Sequence, residues 1–168
     1  MNYIFVADEK EFNEIKVPKK LENNVKKIIT GYGEYHTLKT IIGLFKKGVF
    51  KKGDKFFNVG YCGANAFDVG EVVVVGKSYR EKPSNFAKDR TYTLDKKSKV
   101  KCYSSSDFVE KSSHKGIFDM ELYMLATIFP KIKAIKIVSD NLNLKQYKKV
   151  SLKKAWQQAN KILFSEIN

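Results

Sequence analysis

Lys26-Lys27-Ile28-Ile29-Thr30-Gly31-Tyr32-Gly33 leads into His36 to Phe45, where Leu38, Ile41, Ile42 and Phe45 recur at helical spacing. A short apolar run, a glycine turn and an amphipathic segment make a strand–turn–helix unit. The same grammar continues on both sides. Upstream, Tyr3-Ile4-Phe5-Val6-Ala7 reads as a strand that runs into acidic Asp8, Glu9 and Glu11. Downstream, Lys55-Phe56-Phe57-Asn58-Val59 reads as a strand stopped by Gly60-Tyr61-Cys62-Gly63, and Val72 to Val75 as an uninterrupted apolar strand. Apolar runs without polar alternation imply a sheet covered on both faces. Residues 81–99 read as a mobile, lysine-rich loop with one edge strand at Arg90 to Leu94. Lys101-Cys102-Tyr103 is a further strand, Met120 to Phe129 a helix stopped by Pro130, and the next strand reaches Val138. Ser151 caps a last helix with Leu152, Ala155, Trp156, Ala159, Ile162 and Leu163 on one face. Strands alternating with helices predict an α/β protein.

The chain has 168 residues, 43% of them hydrophobic, which suits one sizeable core and a single domain spanning residues 1–168. No stretch approaches the roughly 18 consecutive apolar residues of a membrane span, and Met1 to Val6 runs into acids with no basic leader, so a soluble, cytoplasmic protein is expected. Cys62 and Cys102 lie far apart with no second pair, so reduced thiols are expected and no zinc site is signalled. His36 and His114 fit no base or metal pattern. Gly31-Tyr32-Gly33 is too short for a dinucleotide fingerprint, which needs a further glycine. The net charge of +14 invites a nucleic-acid partner. Against it, only Arg80 and Arg90 are arginine and the lysines are scattered in pairs, the pattern of a solvated surface.

Two acids sit where an ordinary core would not tolerate them. Glu121 lies inside the apolar run Phe118 to Ala126, and Asp140 closes the run Ala134 to Asp140. A buried carboxylate must be neutralised, paired or used. In open α/β sheets ligands bind beyond the carboxyl ends of the strands, where Asp140, Tyr61, Phe108 and Glu11 are expected to lie.

The order of motifs resembles the purine nucleoside phosphorylase and nucleosidase superfamily, most nearly the methylthioadenosine/S-adenosylhomocysteine nucleosidases, over almost the full chain. Ala7-Asp8-Glu9-Lys10-Glu11 is similar to the acidic segment after the family's first strand, Thr30-Gly31-Tyr32-Gly33 to its Ser-Gly-Ile-Gly turn, and Asn58-Val59-Gly60-Tyr61-Cys62-Gly63-Ala64 to Asn-Thr-Gly-Ser-Ala-Gly-Gly. Gly70-Glu71-Val72-Val73-Val74 resembles Gly-Asp-Ile-Val-Val, Phe118-Asp119-Met120-Glu121 resembles Val-Glu-Met-Glu, and Val138-Ser139-Asp140 resembles Ile-Ser-Asp. The resemblance implies a three-layer α/β/α domain with a central mixed, mostly parallel sheet. It implies cleavage of the bond between a purine and its sugar, with no cofactor or metal, in a homodimer.

The matching positions then acquire roles. Asp140 would protonate the purine at N7 and Glu121 would grip the ribose hydroxyls; Met120 would pack beneath the sugar, Phe108 would stack on the base, and the backbone at Val109 would meet its edge. Glu11 would bind and orient the attacking water, with Tyr61 and Ser139 completing the substrate-binding set. Departures are visible too: the chain is shorter than typical members, Lys136 stands for an arginine, Asp119 for a glutamate, and bulky Tyr61 for the serine of the glycine turn. With no arginine near the early motifs to hold a phosphate dianion, water is the expected nucleophile. Residue type alone leaves alternatives open. Glu11 can begin a solvated helix, Asp140 can cap a turn, and Phe108, Met120 and Tyr61 can be packing residues. A phosphate-dependent phosphorylase, or a degenerate member that binds a nucleoside or nucleic acid without turnover, are the alternative functions.

Overall fold

In a computed structural model, described here for residues 1–82, 89–149 and 152–167, the chain forms a nine-stranded sheet flanked by helices. Its elements are β1 (Asn2–Val6), α1 (Glu9–Glu14), a 3₁₀ turn (Lys19–Asn24), β2 (Val25–Ile29), α2 (Gly33–Lys46), β3 (Lys55–Ala64), β4 (Val72–Val74) and β5 (Lys77–Arg80). There follow β6 (Tyr92–Thr93), β7 (Lys101–Ser104), β8 (Ile117–Asp119), α3 (Leu122–Ile128), β9 (Lys133–Asp140), α4 (Leu144–Lys149) and α5 (Lys153–Ile167). The strand order is β2-β1-β3-β8-β7-β5-β6, with β9 paired to β3 and β4. The β1–β2, β1–β3, β3–β9, β5–β7 and β7–β8 pairs are parallel, and three short pairs are antiparallel.

Period-two alternation in β1 sorts the core. Tyr3 and Phe5 enter one apolar cluster with Ile41, Leu122 and Leu125, so α2 and α3 cover that face. Ile4 and Val6 enter the other with Ile15, Trp156, Ala159 and Leu163, so α5 covers the opposite face. This is the expected three-layer arrangement, with the sheet buried on both sides.

Some boundaries differ from the sequence reading. β3 does not stop at Gly60 but runs on to Ala64. The glycines are there because carboxylates lie against the strand: a Cβ at Gly60 would stand 2.7 Å from a Glu11 oxygen, and one at Gly63 3.0 Å from Asp140 Oδ1. Glycine inside a strand often marks such an approach. Tyr61 accordingly lies within β3, and Asp140 is the last residue of β9, rather than either lying beyond a strand end. The helix expected from Met120 begins at Leu122, because Phe118 and Asp119 belong to β8 and Asp119 Oδ2 accepts the Leu122 N–H at 3.1 Å. The edge strand expected at Arg90 to Leu94 is present as Tyr92–Thr93, and it pairs with β5; β5 and α4 have no counterpart in the sequence reading. Residues 83–88 of the expected loop, and the Ser151 cap, lie outside the described residues.

Candidate functional site

The site begins as a gap in sheet pairing. One edge of β3 pairs with β9 from Phe57 to Gly63. The other edge is shared by β1, opposite Lys55 to Asn58, and β8, opposite Gly63 and Ala64. Between them a stretch of β3 has no strand partner on that edge, and Glu11 fills part of the space. Its Oε1 accepts the Tyr61 N–H at 2.7 Å and its Oε2 the Ala7 N–H at 2.8 Å. The backbone of Glu11 is fixed in turn by Asp8, which caps α1 by accepting the Glu11 N–H at 2.8 Å. Glu11 is only 5% exposed, so it is no part of a solvated helix face. Burial pushes its carboxyl up to about 7, against the two backbone donors and the charge of Lys136.

Asp140, at the end of β9, is 1% exposed. Its Oδ2 accepts the Ser139 hydroxyl at 2.8 Å and its Oδ1 the Asn143 N–H at 3.2 Å. Burial raises its carboxyl above the ordinary range, although these donors pull the other way. Glu121 stands between β8 and α3, where its Oε1 accepts the N–H of Gly33 at 2.8 Å. Gly33 has φ +78°, a backbone conformation that suits glycine, at the start of α2. Burial first, and the neighbouring Asp119 charge second, push Glu121 up to about 8.

Beneath these acids lies an ion pair that the sequence showed only as two departures from the family pattern. Lys136 Nζ is 2.6 Å from Asp119 Oδ2, and both side chains are 1% exposed. Asp119 Oδ1 also accepts the Ser104 hydroxyl at 2.5 Å, so this carboxylate joins β7, β8, β9 and the start of α3. Burial alone would lower the Lys136 ammonium, yet Asp119 holds it above its ordinary value. Breaking a buried pair from one side leaves an uncompensated charge. Lys136→Met is therefore expected to cost about 3–5 kcal/mol in urea unfolding, and adding Asp119→Asn to recover part of it. A single variant as stable as the parent would show that the pair does not hold these strands together.

All eight residues singled out from the sequence line one cavity of about 230 Å³: Glu11, Tyr61, Phe108, Val109, Met120, Glu121, Ser139 and Asp140. Among the described residues lining it, five are acidic (Glu11, Asp107, Asp119, Glu121 and Asp140), and none is lysine or arginine. The expectation that no arginine falls near the early motifs needs correcting, since Arg80 lies 3.4 Å from Glu34 at the start of α2. That guanidinium pairs with Glu34 and Asp89 and lines, with Lys82 and Lys111, a neighbouring cavity that shares Asp107, Phe108 and Val109 with this one, whose own lining excludes it. Cys62 is buried in the lining, and burial pushes its thiol far up, so it is inert at neutral pH. Among the described residues no group of three His, Cys, Asp or Glu is arranged to hold a metal ion. No described helix is long and apolar enough to cross a membrane.

Sequence reasoning missed Tyr32, Leu142, Leu144 and Tyr147, which also line the cavity. Tyr32 carried a signal: a bulky aromatic between two glycines, both now seen at positive φ, is held in place by its turn. Tyr147 carried none, because α4 has no clear apolar periodicity.

No protein-family model matches the chain, and no curated protein matches its sequence. Solved structures do match in shape. Futalosine hydrolase of Helicobacter pylori strain 26695 superposes with a TM-score of 0.77 at 12% identity, over 99% of this chain and 96% of that one. The 5′-methylthioadenosine/S-adenosylhomocysteine nucleosidase of Streptococcus pneumoniae, solved with a transition-state inhibitor, gives 0.74 at 16% identity over 96% of each chain. The corresponding Helicobacter pylori nucleosidase gives 0.76 at 13% identity, over 99% of this chain and 97% of that one. Across its whole length, this chain has the fold of the nucleoside phosphorylases and nucleosidases.

Proposed function

We propose that the protein is a purine nucleosidase, hydrolysing the N-glycosidic bond of an adenine nucleoside of the class that includes methylthioadenosine and adenosylhomocysteine. The observation that carries this reading is the convergence of Asp140, Glu121 and Glu11 on one cavity whose described lining is acidic and holds no lysine or arginine. Such a cavity suits a substrate that becomes positively charged at its anomeric carbon, and its described lining offers no cationic side chain to a phosphate dianion.

Asp140, with its carboxyl raised by burial, gives a proton to purine N7 as the bond from the anomeric carbon to N9 breaks. The bonding electrons leave with the base. Glu121 accepts hydrogen bonds from the ribose hydroxyls and, when ionised, stabilises the oxocarbenium-like sugar. Glu11, anchored by the Ala7 and Tyr61 N–H groups, keeps lone pairs for a water and takes a proton from it as oxygen bonds to the anomeric carbon. The products are a free base and a free pentose. Phe108 stacks on the base, the Val109 backbone meets its edge, Met120 packs under the sugar, and Tyr61 and Ser139 hold their neighbours in place. Pairing into a homodimer is supported by α2, which exposes Tyr35, Ile42 and Phe45 along one stripe.

The test is a chromatographic screen of purine nucleosides with purified protein, with and without inorganic phosphate. Free base and free pentose are expected in phosphate-free buffer, at a rate that phosphate does not raise. Release that requires phosphate and yields a pentose 1-phosphate would make the protein a phosphorylase. Intact nucleosides under every condition would leave a binding protein.

A further inference from the structure

The residues that line the cavity without a part in the proposed chemistry are not scattered. Tyr32 donates its phenolic hydrogen to Asp8 Oδ2. Its hydroxyl also interacts with that of Tyr147 on α4. The Tyr147 ring meets the Tyr61 ring edge-on at 6.1 Å, and the Tyr61 hydroxyl accepts the Trp156 Nε1–H at 2.7 Å. Asp8, Tyr32, Tyr147, Tyr61 and Trp156 therefore form one continuous wall from the α1 cap to the core under α5. It is fixed at both ends: Trp156 is 1% exposed, and Asp8 is tied to the Glu11 backbone. Burial and the bond to Asp8 raise the Tyr32 phenol, and burial pushes Tyr147 up to about 12, so both remain neutral hydrogen-bonding groups.

The position of this wall relative to a nucleoside follows from the carboxylates. Tyr32 immediately precedes Gly33, the donor to Glu121, while its phenol reaches Asp8, the neighbour of the Glu11 donor Ala7. Its side chain thus spans from the carboxylate assigned to the ribose hydroxyls to the one assigned to water. With the base at Phe108, Val109 and Asp140, the 5′ end of the sugar is left facing the tyrosines. The whole cavity, base and sugar positions included, is about 230 Å³, below the roughly 300–1,000 Å³ of ordinary small-molecule sites, which leaves little room for a long 5′ group. Its described lining has no lysine or arginine to pair with the carboxylate of an amino-acid tail.

We infer that the wall of Tyr32, Tyr147 and Tyr61 restricts the substrate to purine nucleosides whose 5′ group is small and uncharged, such as hydroxyl or methylthio, and rejects those with an amino-acid tail. This rests on the nucleosidase reading and narrows it. Tyr32 is a specificity-determining residue, not a catalytic one. It is 51% exposed, so truncating it removes little core.

The test compares kcat/KM for 5′-methylthioadenosine and S-adenosylhomocysteine in the parent protein, Tyr32→Phe and Tyr32→Ala. The parent is expected to prefer methylthioadenosine by about tenfold or more, the ratio that some 1.4 kcal/mol of discrimination gives. Tyr32→Ala should bring the ratio toward one, and Tyr32→Phe, which keeps the ring but loses the Asp8 bond, should fall between. Equal rates in the parent, or a ratio untouched by Tyr32→Ala, overturns the inference. The same two compounds are titrated calorimetrically into Asp140→Asn, where turnover is slowed enough for binding to be read. A preference there supports the wall even if no base is ever released, a result that would overturn only the nucleosidase reading; equal binding, or none, overturns the wall.

Discussion

Asp140→Asn is expected to slow purine release by about 10²–10⁴-fold, the range that a positioned general acid contributes. The substitution keeps the shape of the side chain and removes the proton that the base needs in order to leave. An amide can still donate a hydrogen bond to N7, so the loss should fall on kcat more than on KM. The surroundings can absorb the change. Oδ1 still accepts the Asn143 N–H, and Ser139, which now donates to Oδ2, also lies 3.1 Å from the Cys62 carbonyl and can turn its hydroxyl there. The thermal midpoint should therefore stay near that of the parent. Chromatographic detection of free base beside a melting curve checks both halves. Unchanged turnover in a folded variant would remove Asp140 from the mechanism and leave it a structural cap for the turn at Asn141 to Asn143.

The fold was legible where local pattern and tertiary packing agree. β1 alternates Tyr3 and Phe5 against Ile4 and Val6, and each pair meets a separate core. The errors came from contacts made by residues distant in sequence. Gly60 and Gly63 look like strand breakers because nothing nearby shows that Glu11 and Asp140 will press against them. β8 has three residues, too few to separate strand from helix period within the apolar run Phe118 to Ala126. The site was readable through its acids, since a carboxylate in an apolar run needs an explanation. The aromatic wall was not: tyrosines are ordinary packing residues, and only the meeting of β3, α1, α4 and the turn before α2 turns three of them into one surface.

Glu11→Gln is expected to lower hydrolysis and, at the same time, to flatten the pH dependence of stability. In the native protein the Glu11 carboxyl is pushed up to about 7 from an ordinary 4.5. Between those values the folded chain holds a proton that the unfolded chain has lost. Stability from this group is therefore complete below about 4.5 and is lost as pH rises through about 7, the reverse of an ordinary surface acid. At 1.36 kcal/mol per pH unit, the loss between pH 5 and pH 9 is about 3 kcal/mol. Glutamine cannot titrate, so the difference between urea unfolding free energies at the two pH values should shrink by about that amount in the variant. Gln places one amide nitrogen against the Ala7 or Tyr61 N–H, which costs about 1–3 kcal/mol at every pH; because that cost is constant, it cancels in the comparison. Activity runs the other way. Base release should rise with pH through about 7 in the parent, as the ionised Glu11 carboxylate becomes able to hold and deprotonate water; Glu11→Gln should lose this step and keep only the rise near 8 that ionisation of Glu121 gives. Identical pH dependence of stability in the two proteins would mean that Glu11 ionises freely in the fold. If the first half holds, the form of Glu11 that activates water is also the form that weakens the fold, and the pH that favours hydrolysis is one at which the protein is less stable.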